Sequence, residues 1–102
     1  MRTSDISISS SIVNEKHITN IDFTNITTAE VNDYFELHLD NEVVKMNIVS
    51  EMTIERFVEW VAMNCNANFD FYSKALATNN TNVLNITTRS SDSIIIDLDY
   101  HK

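Results

Sequence analysis

The sequence contains no glycine, no proline and no glutamine among its 102 residues. Without glycine the chain cannot form a Walker phosphate loop, a GxGxxG dinucleotide-binding turn, a GxSxG nucleophile elbow or a standard EF-hand loop. Each of these needs glycine for a positive φ or for close approach of the backbone to a ligand. Without proline the chain has no PxxP ligand motif. These absences exclude many common classes of enzyme and nucleotide-binding protein.

Cysteine and long apolar segments are also scarce. The single cysteine, Cys65, cannot form an internal disulfide, which favours a reducing compartment. No apolar run is long enough for a transmembrane helix, and the first residues lack the apolar segment of a secretory signal. We therefore expect a cytoplasmic protein. The bias towards Ile, Asn, Thr and Ser is typical of AT-rich genes, as in phages and mobile elements. If the protein is encoded by a phage, we expect it in the host cytoplasm.

Positive charge is sparse as well. Fifteen acidic and seven basic side chains give a formal net charge of −8. Such a protein repels nucleic acids and anionic membranes, so we expect it to bind neither directly and to favour basic protein surfaces. The length and the hydrophobic fraction of 43% are ordinary for a single globular domain spanning residues 1–102.

Hydrophobic periodicity predicts an α+β fold with the order β-β-β-β-α-α-β-β. We expect an antiparallel sheet of about four to six strands, with one long and one short helix packed on one face. A Thr27–Glu30 capping box also predicts a short helical turn near 28–32. The predicted strands cover 4–13, 17–24, 34–39, 43–49, 82–88 and 93–100, and the predicted helices cover 50–65 and 68–77.

The central hairpin has the most specific pattern. A two-residue turn at 40–41 sets a register in which apolar residues face apolar residues and opposite charges meet. A one-residue slip would destroy every one of these matches. The predicted pairs are Leu37 with Val44, Phe35 with Met46, and Glu36 with Lys45.

The outer strands are predicted from simple alternation. Residues 4–13 indicate a half-buried strand with Ile6, Ile8 and Ile12 on one side, followed by a turn at 14–16. The next strand should direct Ile21 and Phe23 inward. A three-residue turn at 90–92 would pair the last two strands with each other, so that Ile86 lies opposite Ile96 and Leu84 opposite Leu98.

Both helices carry a cap and an apolar arc. Ser50 or Thr53 can cap the long helix, and Asn68 can cap the short one. The inward residues of the long helix follow i, i+3, i+4 spacing. They are Ile54, Phe57, Val58, Val61 and Cys65, and those of the short helix are Phe69, Tyr72 and Leu76.

Few residues suit catalysis or metal binding. Cys65 lies on the apolar arc, so we predict a buried, unreactive thiol. Asp97, Asp99 and His101 alternate on one side of the last strand and are suitable metal ligands by type, but steps of about 6.8 Å are too wide for three ligands to close on one ion. No triad, carboxylate pair or zinc cluster is recognisable. We therefore predict a protein that is not an enzyme and has no metal or cofactor.

The flank of the long helix opposite the apolar arc has interface composition. It carries Met52, Arg56, Trp60 and Met63, and Trp and Arg are frequent hot-spot residues while Met adapts to partners. Three alternatives stay open for this flank: a second core face, a homo-oligomer contact, or a contact with another protein. Glu51, Glu55 and Glu59 lie beside this flank at successive i+4 positions of the predicted helix. The candidate partner-binding residues are Met52, Glu55, Arg56, Glu59, Trp60, Met63, Asp97 and Asp99.

Three functional hypotheses follow. In the first, the chain is a non-enzymatic inhibitor or immunity-type protein of phage or mobile-element type. Carboxylates at strand i, i+2 and helix i, i+4 lie about 6–7 Å apart, like neighbouring phosphates, so an acidic surface can mimic nucleic acid and cover the basic site of a nucleic-acid enzyme. The alternative is a structural, self-assembling homo-oligomeric accessory protein. Its binding partner would be a second copy of the same chain, as in a homodimer. The third is a small metal-dependent enzyme that uses Asp97, Asp99 and His101.

Overall fold

The computed structural model describes residues 6–25, 28–29, 31, 34–39, 42–89 and 96–101. The α+β class and the predicted order of the main elements are confirmed, with additional short strands. Within the described ranges, no helix is long and apolar enough to span a membrane. The elements are β1 (Ser7–Val13), β2 (Lys16–Asp22), β3 (Thr28–Ala29), β4 (Tyr34–Leu39), β5 (Glu42–Asn47), β6 (Met52–Thr53), α1 (Ile54–Ala67), α2 (Phe69–Lys74), β7 (Ala75–Asn80), β8 (Val83–Thr88) and β9 (Ile96–His101).

The strands form three antiparallel groups. One sheet has four strands in the order β1-β2-β8-β7, and a second has three strands in the order β5-β4-β9. The short strands β3 and β6 pair with each other. Buried side chains from both sheets and from α1 form the core, where the rings of Phe23, Phe35 and Phe57 lie with centroids 5.6–6.1 Å apart.

The predicted register of the central hairpin is confirmed. All three predicted pairs lie directly opposite each other in β4 and β5. The inward residues Phe35, Leu37 and Leu39 are buried, while those between them are only half-buried. The turn at 40–41 lies outside the described residues. The sequence determines this register locally, because any slip would move apolar side chains out of the core.

The prediction that the last two strands pair with each other is wrong. β8 lies between β2 and β7, so that Leu84 is opposite Ile21 on one side and Asn79 on the other. Both edges of β8 are therefore occupied, and β9 pairs instead with β4. In that pairing Leu98 lies opposite Leu37, and Ile96 lies opposite Leu39. The predicted turn at 90–92 lies outside the described residues.

The short helix is shorter and rotated relative to the prediction. Asn68 caps it as predicted, its Oδ1 accepting the N–H of Phe71 at 3.0 Å, but the helix ends at Lys74 and the chain continues as β7. Phe71 is the buried residue, while Phe69 is 84% exposed. Tyr72 and Leu76 are also exposed. Ala and Leu favour helix, but pairing with β8 overrides that preference from Ala75 onwards.

Two further predictions near the start of the chain are wrong. The described part of 28–32 includes a strand, β3, whose pairing with β6 prevails over the local capping signal; Thr27 and Glu30 themselves lie outside the described residues. The first strand is not half-buried, because every residue of β1 is exposed. Ile6, just before it, is buried, so the core ends where β1 begins.

Turns that usually contain glycine use other residues in this chain. Asn14 and Glu15 connect β1 to β2 with φ of 52° and 67°, and Thr81 follows β7 with φ of 54°. The predicted turn after the first strand is thus confirmed. Asn tolerates the left-handed region, but Glu and especially β-branched Thr adopt it at a cost.

Candidate partner-binding site

Two adjoining depressions lie beside the start of α1 and share Met52, Arg56 and Trp60. The larger has a volume of about 530 Å³ and the smaller about 130 Å³. Together we call them the Trp60 groove. Its residues are Val49, Ser50, Glu51, Met52, Thr53, Arg56, Glu59, Trp60 and Met63.

The start of α1 sets the shape of the groove. The N–H of Arg56 donates to Oγ1 of the N-cap residue Thr53 at 3.4 Å, which confirms Thr53 as the cap. The predicted start of the helix at residue 50 is wrong, because Met52 and Thr53 pair with β3 as strand β6 and the helix begins at Ile54. Met52, one residue before Thr53, is held in β6 opposite Ala29. Arg56, Trp60 and Met63 then follow at i+4 and i+3 steps, so they lie on one flank of the helix.

Trp60 lies at the margin of the core. Its ring packs against the buried ring of Phe57 at 6.0 Å between centroids, and Phe57 in turn contacts Phe23 and Phe35 edge to face. Trp60 itself remains half-buried and lines the groove. The next residue along the flank, Met63, is 64% exposed. The indole therefore packs against the core on one side and lines the groove on the other.

The charged residues of this flank are accessible to solvent. Glu51, Glu55, Arg56 and Glu59 are all exposed. Within the part of the chain that the structure describes, none of the four side chains makes an ion pair, although an ion pair does form elsewhere, between Lys74 and Glu42 at 3.6 Å. A partner would therefore not have to break existing ion pairs to reach these four charges.

The structure brings together five of the eight predicted partner-binding residues. Met52, Arg56, Glu59, Trp60 and Met63 all line the smaller depression.

The remaining three predicted residues are Glu55, Asp97 and Asp99. Glu55 is exposed on α1 but is not a lining residue. Asp97 and Asp99 belong to β9, where they lie opposite His38 and Glu36 of β4. Among the residues that the structure describes, no cluster of three or more His, Cys, Asp or Glu could hold a metal ion.

Cys65 is confirmed as a buried residue of the apolar arc. Desolvation by burial raises the pKa of its thiol from 9.0 to about 12. A thiol with such a pKa is uncharged at neutral pH, and the thiolate is the form that attacks electrophiles. Cys65 therefore contributes packing to the core.

Sequence reasoning missed one wall of the groove. The predicted strand extends to Val49, but β5 ends at Asn47 and the following residues leave the sheet. Ile48 is buried, whereas Val49 is 79% exposed beside the groove. A signal was present in the alternation, because the pattern that directs Met46 and Ile48 inward directs Val49 outward.

Comparison with known proteins gives no relative from which a function could be transferred: no family model matches the chain, and a search of curated proteins finds no match.

Proposed function

We propose that this chain is a non-enzymatic, acidic protein-binding protein that inhibits or neutralises a target by covering its basic, nucleic-acid-binding surface. The observation that carries the proposal is the Trp60 groove itself. An indole that packs on the core and an exposed methionine line this groove together with Glu51 and Glu59, and Glu55 is exposed nearby on α1. None of the three glutamates makes an ion pair with a described residue. An apolar anchor surrounded by charged groups is the usual anatomy of a protein interface.

The apolar residues would supply most of the binding energy. Trp is among the residues whose truncation costs most at interfaces, often 2 kcal/mol or more. Trp60 suits this role because its ring already packs against Phe57, and a side chain restrained in this way would lose less entropy on binding. Met52 and Met63 flank it and can adapt to the shape of a partner.

The charged residues would supply orientation and specificity. Glu55 and Glu59 are one helical turn apart, about 6 Å, which resembles the spacing of phosphates along a nucleic-acid strand. A row of Lys and Arg that normally binds phosphates could therefore bind these carboxylates. Arg56, between them, would pair with a carboxylate or carbonyl of the target and so distinguish this surface from a bare polyanion.

The net charge of −8 would act at longer range. It attracts a basic target before contact, which raises the association rate, and salt weakens this attraction. An inhibitor of this kind would act in the cytoplasm, and a phage or immunity-type origin fits the composition of the chain. This function requires no catalytic residue, metal or cofactor.

The test is capture from the native host with matched variants. We expect the wild-type chain to retain a basic nucleic-acid enzyme at low salt and to release it at high salt. Trp60→Ala should lose the enzyme, and Glu59→Lys should retain much less. Glu15→Lys, in the turn between β1 and β2, makes the same change in charge away from α1 and should bind as the wild type does.

The captured enzyme then allows a direct test of mimicry. The wild-type chain should compete with DNA or RNA for the enzyme, and Trp60→Ala should not. Capture that is insensitive to both groove variants, or binding that leaves the nucleic-acid site accessible, would rule out the proposal.

A second candidate function is a self-assembling homo-oligomeric accessory protein. It is favoured by a different observation, which is that every residue of β1 is exposed. A dimer or larger oligomer in light scattering at micromolar concentration would support it, and a strict monomer would count against it.

A further inference from the structure

Strand β1 forms one edge of the four-stranded sheet. In the part of the chain that the structure describes, β1 pairs only with β2, and all seven of its residues are exposed. An edge strand presents unpaired backbone N–H and C=O groups, which can pair with a strand from another chain. The strand carries no charged residue and no proline, the usual features that prevent such pairing.

The hydrogen bonds of the sheet show which backbone groups point to the β1 edge. Alternate residues of a strand direct their N–H and C=O to opposite sides. The N–H of Phe23 donates to the carbonyl of Asn82 at 2.9 Å, so odd-numbered residues of β2 point towards β8 and even-numbered ones towards β1. The even residues pair with the odd ones of β1. Ile8, Ser10 and Ile12 therefore direct their backbone groups outward.

The opposite edge of the same sheet, strand β7, is bonded by a side chain at Ala77. There, Oδ1 of Asn66 accepts the N–H of Ala77 at 2.9 Å, and Nδ2 of Asn66 donates to the carbonyl of Ala77 at 2.8 Å. The side chain of a residue on α1 thus takes the place of a neighbouring strand at β7. Within the described residues, no side chain bonds the outward backbone groups of β1 in this way.

The sequence of β1 is complementary to itself. Residues 8–12 read Ile-Ser-Ser-Ser-Ile, which is the same in both directions about Ser10. If a second copy pairs antiparallel about this point, Ser10 lies opposite Ser10 and Ile8 lies opposite Ile12, with Ser9 opposite Ser11. Like meets like at each of these positions, and no charge is brought against another charge.

We propose that two copies of this chain pair through antiparallel β1 strands about a two-fold axis at Ser10. The two four-stranded sheets then form one continuous sheet of eight strands. The outward groups of residues 8, 10 and 12 form about six backbone hydrogen bonds, and the half-exposed Ile8 contacts Ile12 across the axis. This proposal does not depend on the Trp60 groove, because it uses a different surface.

The dimer should be weak and should strengthen with salt. One pair of edge strands buries far less than the roughly 1,600 Å² of a standard interface, so we expect a Kd of about 10–100 µM. Each copy carries a net charge of −8, and salt screens the repulsion between them. The salt dependence is therefore opposite to that expected for a basic partner at the groove, which separates the failure of one proposal from the failure of the other.

Sedimentation equilibrium over about 5–300 µM tests the proposal. The mass of the wild type should rise towards twice that of the 11.7 kDa chain. Ser10→Pro removes an outward N–H, a change that edge strands tolerate, and should weaken dimerisation at least tenfold while circular dichroism stays native. Trp60→Ala should dimerise as the wild type does. A wild type that stays monomeric at about 300 µM overturns the proposal, as does a dimer that Ser10→Pro leaves intact.

Cross-linking tests the register and does not depend on Ser10→Pro folding. In the proposed pairing, Ser10→Cys places two thiols opposite each other, about 5.5 Å apart at Cα, which a disulfide can span. Ser7→Cys is the matched control, because the two copies of residue 7 lie about 20 Å apart. Mild oxidation should cross-link only the first variant, and the buried Cys65 should stay unreacted. Equal cross-linking of both variants, or of neither, contradicts the register.

Discussion

The two sides of helix α1 carry similar residue types but differ in how far these residues are buried. One side carries Phe57 and Cys65, which are fully buried among residues of the two sheets. The other side carries Trp60 and Met63, where one ring rests on the core and one side chain is 64% exposed. The same helix thus presents one apolar surface that the chain covers itself and one that the described residues leave partly open.

If the open side binds a partner as proposed, stability and binding depend on different residues of one helix. Substitutions on the covered side should mainly lower the free energy of unfolding. Substitutions on the open side should mainly change the affinity for a partner. Substitutions on the two sides of α1 test this separation, because their expected effects on the free energy of unfolding differ in size.

Truncation of Phe57 should have the largest effect. Phe57→Ala removes a fully buried ring that contacts three other aromatic rings, so we expect a loss of about 3–5 kcal/mol in the free energy of unfolding, measured by urea denaturation. Trp60→Ala, on the open side, should cost only about 1–2 kcal/mol because the indole is half-buried. Equal losses for the two variants would contradict the difference between the two sides.

Alkaline pH should destabilise the covered side through Cys65. Burial raises the pKa of this thiol from 9.0 to about 12, so the folded state favours the uncharged form. The corresponding stability is fully present below pH 9 and is lost as the pH rises towards 12, amounting to roughly 4 kcal/mol at 1.36 kcal/mol per pKa unit. Denaturant titrations between pH 8 and 11 should show a steeper decline for the wild type than for Cys65→Ala. Parallel declines would show that this thiol titrates normally.

Neutralisation of Glu55 should have the smallest effect on stability. Glu51 precedes the helix, so Glu55 has one carboxylate neighbour at i+4, Glu59, and the repulsion between them is about 0.2–0.5 kcal/mol. Glu55 also lies in the first turn of α1, where the helix dipole favours a negative charge by about 0.3–1 kcal/mol, so the two effects of Glu55→Gln oppose each other. We expect the free energy of unfolding to stay within about 0.5 kcal/mol of the wild-type value, together with weaker binding to a basic partner. A loss of stability of more than about 1 kcal/mol would indicate that this carboxylate mainly stabilises the fold.

The parts of the fold that were predictable from sequence are those determined locally. The register of β4 with β5 follows from matched apolar and charged pairs around one turn, and the buried arc of α1 follows from helical spacing. The pairing of β9 with β4 was not predictable in this way, because it joins residues about 60 positions apart. The first half of β7 was missed for a related reason: Ala75, Leu76 and Ala77 favour helix, and their pairing with β8 makes them a strand.

The candidate site also has parts that could be predicted from local sequence and parts that could not. Three residues of the groove, Arg56, Trp60 and Met63, could be grouped from helical geometry alone. Met52 was grouped with them on the prediction that it belongs to the helix, but it reaches the groove from strand β6. The wall at Val49 depends on where β5 ends, which the local pattern does not specify. The placement of Asp97 and Asp99 depends on the partner of β9, which is a long-range contact.

The most direct test of the central claim is the affinity of the captured target for wild-type and Trp60→Ala chains, measured by isothermal titration calorimetry under conditions where both are folded. If the Trp60 groove is the binding surface, the variant should bind at least about 30-fold more weakly, which corresponds to 2 kcal/mol. An unchanged Kd for Trp60→Ala would contradict the claim and would leave the acidic surface without an anchor.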